Sequence, residues 1–349
     1  MKIVFFGTPE YVLPVLEKLY KEFRTSKLAS PIVAVVTQSP KPTDRKQVLT
    51  YSPVDAWAHQ HKIPIYYHPS DLIKDCVKAD LGVIAAYGAL LPPNLVNYFP
   101  YGILVIHPSL LPEFRWGSPV QAAIVTGTNP TGVSIIKMDA KFDHGPIISQ
   151  FKEDVLPDDT TGSLRARLFI RSAEVLAQLV KPYVQGKITP RKQDEAKATF
   201  ARVIKKVDAF IPSQMLKLAL EGKKGRTKWP VPFITAFKKT PDSQSGDELN
   251  ADMSSSLRRG NRGLKSAEDV IKNYSLLPSA LSLDRFIRAM NPWPCAWTYV
   301  SGISPEQKRL KIISGHFEKN KLVLNKVQLE GKEAVSWKQF KEGYPKASF

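Results

Sequence analysis

Cysteine and long apolar runs are scarce in this sequence, and each scarcity excludes a class of protein. The 349 residues include only two cysteines, Cys76 and Cys295, far apart along the chain. A disulfide framework or a cysteine metal cluster is therefore not expected. A cytoplasmic location is expected, because the cytosol keeps thiols reduced. The longest apolar runs, such as residues 81–87, are too short to span a bilayer, so we expect no membrane partner. The first residues predict a strand and a glycine turn rather than a signal peptide.

Acidic residues are also scarce relative to basic ones, and the imbalance is uneven along the chain. There are 50 Lys and Arg residues against 32 Asp and Glu, which gives a formal net charge of +18. Residues 1–150 include 14 basic and 11 acidic residues, whereas residues 151–349 include 36 basic and 21 acidic residues. A basic half attracts polyanions, of which nucleic acid is the commonest in a cytosol. A solubilising surface without a partner is an equally weighted alternative.

Short apolar runs alternate with helical patterns in the first half of the chain. Such alternation predicts an α/β fold, with a mostly parallel sheet covered on both faces and a ligand site beyond the carboxyl ends of its strands. The predicted strands are residues 2–6, 32–37, 81–86, 103–107 and 132–138, and the predicted helices are residues 9–22, 53–61 and 119–125.

The second half is predicted to form a smaller, β-rich domain. A long helix over residues 160–185 ends the first domain, so we place the domains at 1–187 and 188–349. Residues 240–263 are rich in Ser, Asp, Asn, Gly and Arg and predict a flexible insertion. Short strands near residue 200 and at 296–301, 310–314 and 321–329 suggest a small barrel.

Two residues are candidates for chemistry. His107 ends a predicted strand and is followed by Pro-Ser-Leu-Leu-Pro, a rigid turn that would fix the imidazole for general acid catalysis. For an arbitrary histidine at a strand end, a capping or core role is the commoner one. Asp143 precedes a His-Gly-Pro turn and by itself predicts only a turn former. Spacing alone does not pair the two.

The segment His-Pro-Ser-Leu-Leu-Pro, with Asp143 thirty-six residues after the His, resembles the folate-dependent formyltransferases. Phe-Gly-Thr-Pro at 6–9, Ala-Tyr-Gly-Ala-Leu-Leu-Pro at 86–92 and Asn-Pro-Trp-Pro at 291–294 are similar to the methionyl-tRNA formyltransferase branch. The resemblance implies a Rossmann-like catalytic domain followed by an OB-like β-barrel domain that binds tRNA. The chain is then expected to act as a monomer without metal.

The resemblance also implies a reaction. A formyl group passes from the co-substrate 10-formyltetrahydrofolate, a reduced folate, to the amino group of initiator methionyl-tRNA, for translation initiation. His107 stabilises the oxyanion or protonates the leaving nitrogen. Asp143 holds His107 in its charged form and accepts the amine proton.

The same resemblance assigns binding residues. Arg45, in a basic loop, is expected to contact the tRNA acceptor end, although without the resemblance a mobile solvated loop would be the preferred interpretation. Two segments are expected to line the folate pocket, with ordinary core packing as the alternative for its leucines. They comprise Tyr87, Gly88, Ala89, Leu90, Leu91, Pro92, Ser109, Leu110, Leu111 and Pro112.

Four positions depart from the family pattern, and one of them is Asp44, where the family has Gly in the basic loop. Val105 stands where the family has Asn, so one oxyanion donor is missing, and such a loss typically costs about 10²–10³ in kcat. Glu113 replaces a basic residue, and Trp116 stands where Gly is usual after Arg115. Two alternatives remain: a formyltransferase acting on a small amine, such as an amino sugar nucleotide, and a catalytically impaired RNA-binding protein, for which Val105 is the only support.

Overall fold

The computed structural model describes residues 1–26, 30–43, 48–237 and 271–349. Arg45 and the insertion predicted at 240–263 lie outside the described residues. The described strands are β1 (Ile3–Gly7), β2 (Ile32–Val36), β3 (Lys41–Thr43), β4 (Val48–Thr50), β5 (Ile65–Tyr66), β6 (Leu81–Ala85), β7 (Ile103–His107), β8 (Thr131–Lys137), β9 (Ile147–Glu153), β10 (Thr199–Ala201), β11 (Trp229–Phe237), β12 (Ile271–Leu276), β13 (Ala296–Val300), β14 (Lys308–Glu318), β15 (Lys321–Leu329) and β16 (Ala334–Ser336).

The helices of the described residues include one of 24 residues, α6. None of them is both long and apolar enough to cross a membrane. They are α1 (Leu13–Glu22), α2 (Pro53–Gln60), α3 (Asp71–Lys74), α4 (Pro93–Val96), α5 (Pro119–Thr126), α6 (Thr161–Val184), α7 (Ser213–Leu220), α8 (Ala280–Ala289) and α9 (Trp337–Gly343).

A seven-stranded sheet organises the N-terminal half, in the order β5-β2-β1-β6-β7-β8-β9. The first five strands in this order pair in parallel, which confirms the prediction of a mostly parallel sheet. The strands β8 and β9 join antiparallel, as edge strands of such sheets often do. The sequence analysis missed β9, because Gln150 and Lys152 interrupt its apolar alternation.

Helices cover both faces of this sheet because its strands are apolar on both sides. On one face Phe5 of β1 belongs to a core that includes Leu16 of α1 and Leu168 of α6. On the other, Phe6 packs in a cluster with Leu95 of α4. Successive side chains of a strand point to opposite faces, so neighbouring residues of β1 serve different cores.

The C-terminal half is β-rich, as predicted, and its strands pair antiparallel. It contains a four-stranded sheet, β13-β14-β15-β16, and a three-stranded sheet, β10-β11-β12. Helix α8 was not predicted; it begins at a capping box formed by Ser279 and Ser282 and packs against α5 and β14. Through α8 the apolar core of the N-terminal sheet continues into the C-terminal sheets, with Val125 and Phe286 among its buried members.

Candidate active site

His107 closes β7 and lies buried at the carboxyl edge of the parallel strands, with 5% of its surface exposed. Its Nε2 lies 3.0 Å from the carbonyl oxygen of Phe114. Because a carbonyl oxygen only accepts, Nε2 carries a hydrogen and donates it. The other ring nitrogen, Nδ1, lies 3.5 Å from Oδ2 of Asp143. Nδ1 is therefore the nitrogen that remains for chemistry.

Asp143 reaches His107 through a loop and not from the end of a neighbouring strand. Because β8 runs antiparallel to β7, with Lys137 opposite Leu104, it ends at the other edge of the sheet from His107. The loop between β8 and β9 carries Asp143 back to within 3.5 Å of the imidazole. Oδ2 of Asp143 also accepts a 2.8 Å hydrogen bond from the backbone N–H of Trp116. The pair thus joins the end of a strand, His107, to a loop residue, Asp143.

Two residues with positive φ shape the loop that faces this pair. Phe114 has a φ of 54° and Trp116 a φ of 86°. This region of backbone conformation favours glycine, and a bulky residue there costs on the order of 1–3 kcal/mol. The conformation directs the Phe114 carbonyl to His107 and the Trp116 amide to Asp143. Trp116 therefore keeps a glycine-like backbone at the position where the resemblance predicts Gly.

The segment that follows α6 holds the Asp143 turn from outside. Gln193 donates from Nε2 to the carbonyl oxygens of Asp143 and Gly145, at 2.7 and 2.8 Å. The buried Arg115 donates to Oε1 of Gln193 and pairs with Glu195 at 2.6 Å. Its guanidinium holds the pKa of the Glu195 carboxyl below the usual range. Asp143 has a φ of 47°, so its turn depends on this external support.

This support of the Asp143 turn could not be predicted from the sequence. Gln193 and Glu195 carry no local motif and are about fifty residues from the turn that they hold. Arg115 was considered only as a family position. A buried arginine needs hydrogen-bond acceptors around its guanidinium. This need would have indicated partners for Arg115 only if the burial of Arg115 could be predicted from the sequence.

Two cavities meet at the His107–Asp143 pair. We call the first, about 420 Å³ in volume, the edge cavity; its walls include His107, Pro108, Trp116, Gln121, Tyr11 and Arg165. We call the second, about 410 Å³ in volume, the face cavity; its walls include Leu91, Val96, Asn97, Ile136, Met138 and Lys141. Both are lined by Ile84, Ala89, Leu90, Val105, Phe142 and Asp143.

Val105 lies in the wall that the two cavities share. It pairs with Ile84 on β6 and with Ile136 on β8, so a row of apolar side chains crosses three strands. Position 105 thus offers no hydrogen-bond donor from its side chain. The side-chain amides in the described linings belong to Gln121 in the edge cavity and Asn97 in the face cavity.

The predicted binding segment at 87–92 borders both cavities. Tyr87 and Gly88 line the edge cavity, Ala89 and Leu90 line both, and Leu91 lines the face cavity. Pro92, which precedes α4, is not part of either lining. Gly88 has a φ of 78°, a conformation that lets the chain turn after β6.

The predicted binding segment at 109–112 is packed beneath the cavities and does not line them. Ser134 donates to the carbonyl oxygen of Ser109 at 2.7 Å and accepts from the Leu111 N–H at 2.9 Å. Leu111 packs with Ile136 and Ile147 behind Val105. In this structure the turn therefore supports the shared wall from behind.

Arg165, in the first turn of α6, is a charged group of the edge cavity that the sequence analysis missed. Its Cζ lies 4.1 Å from the centroid of the Tyr11 ring, a cation–π contact. Its Nε is buried and has no hydrogen-bond partner among the described residues. Burial raises the pKa of the Tyr11 hydroxyl, and the charge of Arg165 partly offsets that effect.

The strands β3 and β4 pair antiparallel, and residues 44–47 between them, which include Arg45, lie outside the described residues. The assignment of Arg45 therefore stays a prediction. Across the described ranges no group of three or more His, Cys, Asp or Glu side chains is placed to hold a metal ion.

Comparison with known proteins gives consistent matches. The family model "Formyl transferase" matches residues 1–180, and "Formyl transferase, C-terminal domain" matches residues 277–323. A methionyl-tRNA formyltransferase of Listeria monocytogenes is 38% identical over 248 residues, which cover 68% of this chain and 76% of the relative. One of Bacillus subtilis is 36% identical over 241 residues, which cover 67% of this chain and 74% of the relative.

The fold also matches solved structures. A 4-N formyltransferase from Francisella tularensis superposes with a TM-score of 0.53 at 16% identity, covering 91% of this chain and 98% of that one. At this identity the match concerns the fold alone.

Proposed function

The chain belongs to the formyl transferase family, and from that premise we propose that it transfers a formyl group from 10-formyltetrahydrofolate to the amino group of methionyl-tRNA. The observation that carries the proposal is the His107–Asp143 pair where two cavities meet. A two-substrate transfer needs such a junction, because donor and acceptor must approach from different sides of one reacting carbon.

The face cavity suits the folate. Its walls are mostly apolar, as expected for a site that holds a planar ring, and Asp139, Lys141 and Asn97 supply polar atoms at its border. When bound there, the co-substrate supplies the formyl group. Leu90, Leu91 and Met138 would cover its ring, while residues 109–112 would fix the wall behind it.

The edge cavity suits the amine. We assign to His107 Nδ1 the role of hydrogen-bond donor to the formyl oxygen, since Phe114 occupies Nε2. Oδ2 of Asp143 is held by the Trp116 amide, and no partner of Oδ1 is found within the described chain. Oδ1 is then the base that receives the amine proton as the new C–N bond forms. That proton is returned to the folate nitrogen when the bond between this nitrogen and the formyl carbon breaks. The carboxylate also stabilises the charged imidazole beside it.

The amine is proposed to be that of methionyl-tRNA on two grounds. The curated relatives at 36–38% identity carry that name. Residues 151–349 hold 36 Lys and Arg against 21 Asp and Glu, a charge that suits a polyanion better than a small amine. The division into domains at 1–187 and 188–349, a monomeric state and a role in translation initiation belong to the same proposal.

Formyl transfer by the purified full-length protein tests the proposal. The protein is incubated with 10-formyltetrahydrofolate and, separately, with methionyl-tRNA, an amino sugar nucleotide and glycinamide ribonucleotide. We expect transfer to methionyl-tRNA only, and an affinity for tRNA that falls steeply with salt as counterions are released. Comparable kcat/KM on a small amine would make that amine the substrate. Salt-dependent tRNA binding without any transfer would support the impaired RNA-binding protein.

A further inference from the structure

Arg165 carries a charge that the site described so far does not use. It lines the edge cavity together with His107 and Asp143. The carboxylate of Asp143 faces His107, and no ion pair of Arg165 is found among the described residues. Its buried Nε is unpaired there as well, although buried polar atoms are hydrogen-bonded in most proteins. A half-buried guanidinium at a substrate cavity, with its Nε unpaired and no ion pair among the described residues, points to an anionic ligand group.

The side chain is also held in place before any ligand arrives. Its guanidinium stacks on Tyr11, and the Tyr11 ring packs against Phe169 of the same helix with centroids 5.0 Å apart. A planar guanidinium fixed in this way presents its N–H groups in a rigid fork, which matches phosphate oxygens. Less side-chain entropy is then lost on binding.

The position of Arg165 indicates which substrate it contacts. Tyr11, Arg165 and Phe169 line the edge cavity, whereas the face cavity contains no residue of α6. The amine substrate therefore lies nearer to Arg165 than the folate ring does. On the basis of the proposed function, we propose that Arg165 binds a phosphate group next to the aminoacylated nucleoside of the amine substrate.

A folate tail ends in carboxylates, which an arginine also binds, so the test must separate the two sources. Three acceptors are compared: 3′-O-methionyl-adenosine without phosphate, the methionyl ester of cytidylyl-adenosine with one phosphodiester and one further nucleoside, and methionyl-tRNA. The added nucleoside is the same for wild type and variants, so a change in the ratio between them reports the contact made by Arg165. Each is assayed with 10-formyltetrahydrofolate bearing one or several glutamates. The readout is the ratio of kcat/KM for the dinucleotide ester to that for the nucleoside ester.

The variants are Arg165→Met, Arg165→Lys and a matched control, Arg171→Met. Arg171 lies on the same helix but, outside the cavity, forms an ion pair with Glu153 and donates a hydrogen bond to the backbone carbonyl oxygen of Lys152. Arg165→Met should lower the ratio roughly 10- to 100-fold, because a charge-assisted hydrogen bond contributes that much. Arg165→Lys should lower it less, and Arg171→Met should leave it at the wild-type value. Should Arg165→Met lack a cooperative thermal transition, the lysine variant decides.

The outcomes separate the two proposals. A ratio that stays at the wild-type value in the folded Arg165 variants overturns the phosphate assignment and leaves the proposed function intact. A loss that appears only with polyglutamyl folate also overturns it, in favour of the folate tail. A wild-type protein that formylates none of the three esters overturns the proposed function, and the assignment of Arg165 with it.

Discussion

The face cavity and the edge cavity share one wall but are built by different means. The wall of the face cavity is a row of strand side chains, Ile84, Val105 and Ile136, which neighbouring strands place side by side. The polar groups of the edge cavity, His107 and Asp143, are aimed by hydrogen bonds from loops. Strand pairing thus positions apolar surface, whereas loops with unusual backbone conformations position the reacting atoms.

This difference separates the kinetic consequences of changing each cavity. Loss of an apolar contact in the face cavity weakens the binding of the folate ring equally in the ground state and in the transition state. Such a loss raises KM and leaves kcat nearly unchanged. Loss of a directed polar contact in the edge cavity removes an interaction that matters when charge develops, which lowers kcat. Substitutions on the two sides should therefore split between the two constants.

The largest effect is expected for His107→Ala. Without the imidazole, kcat should fall about 10³-fold or more, because both hydrogen-bond donation and the charge beside Asp143 are lost. Folate affinity should change little. The matched control is His316→Ala, since His316 contacts Asn325 away from both cavities. A kcat within threefold of wild type for His107→Ala would remove the imidazole from the mechanism.

A smaller effect on the same side is expected for Gln193→Leu. The substitution keeps the volume but removes the two hydrogen bonds to the Asp143 turn. We expect kcat to fall roughly 10- to 100-fold at nearly constant KM, because small displacements of a reacting group cost that much. Gln328→Leu, which removes a single bond to the Lys332 carbonyl, serves as control. A change confined to thermal stability would mean that Gln193 only supports the fold.

On the face-cavity side, Leu91→Ala should raise the folate KM about 5- to 30-fold with kcat nearly unchanged, which corresponds to about 1–2 kcal/mol of lost apolar contact. The exposed Leu277 provides the control substitution, Leu277→Ala. Steady-state kinetics at varied folate would check the split. A fall in kcat without a change in KM would contradict the division between the cavities.

The smallest effect is expected in the wall that the two cavities share. Val105→Asn adds a hydrogen-bond donor there, and kcat should rise a few-fold. This is less than the factor of about 10²–10³ that an oxyanion donor usually contributes, because the neighbouring Ile84 and Ile136 leave the new amide poorly solvated and partly misdirected. Val105→Ala, which removes volume without adding a donor, should not accelerate the reaction. Single-turnover rates compare the two. A slower Val105→Asn with unchanged melting temperature would show that the oxyanion donor comes from elsewhere.

Much of the sheet could be predicted from the sequence because its strands are short, apolar and separated by helical patterns. The predicted strand at 103–107 has the bounds of β7, since an apolar run ends there at a histidine and a proline. By contrast, β9 mixes polar and apolar residues, and α8 is among the elements that were not predicted. The antiparallel direction of β8 also has no local signal.

The site was less predictable than the sheet. The pairing of His107 with Asp143 was predicted only from the family resemblance. Strand β8 ends at the opposite edge of the sheet from His107, and only the loop after β8 brings the carboxylate back. The positive φ of Trp116 contradicts its residue type, and Gln193 acts across a long separation in sequence. Such contacts depend on tertiary structure, which periodicity and local propensity do not encode.

The central claim is that His107 and Asp143 act as one unit in formyl transfer, and a double-mutant cycle tests it most directly. Single-turnover transfer to methionyl-tRNA is measured at saturating folate for wild type, His107→Ala, Asp143→Asn and the double variant. Groups that act as a unit are not additive, so the double variant should be no slower than the slower single variant, within about threefold. Rate losses that multiply in the double variant, or a wild-type rate in Asp143→Asn, would contradict the account.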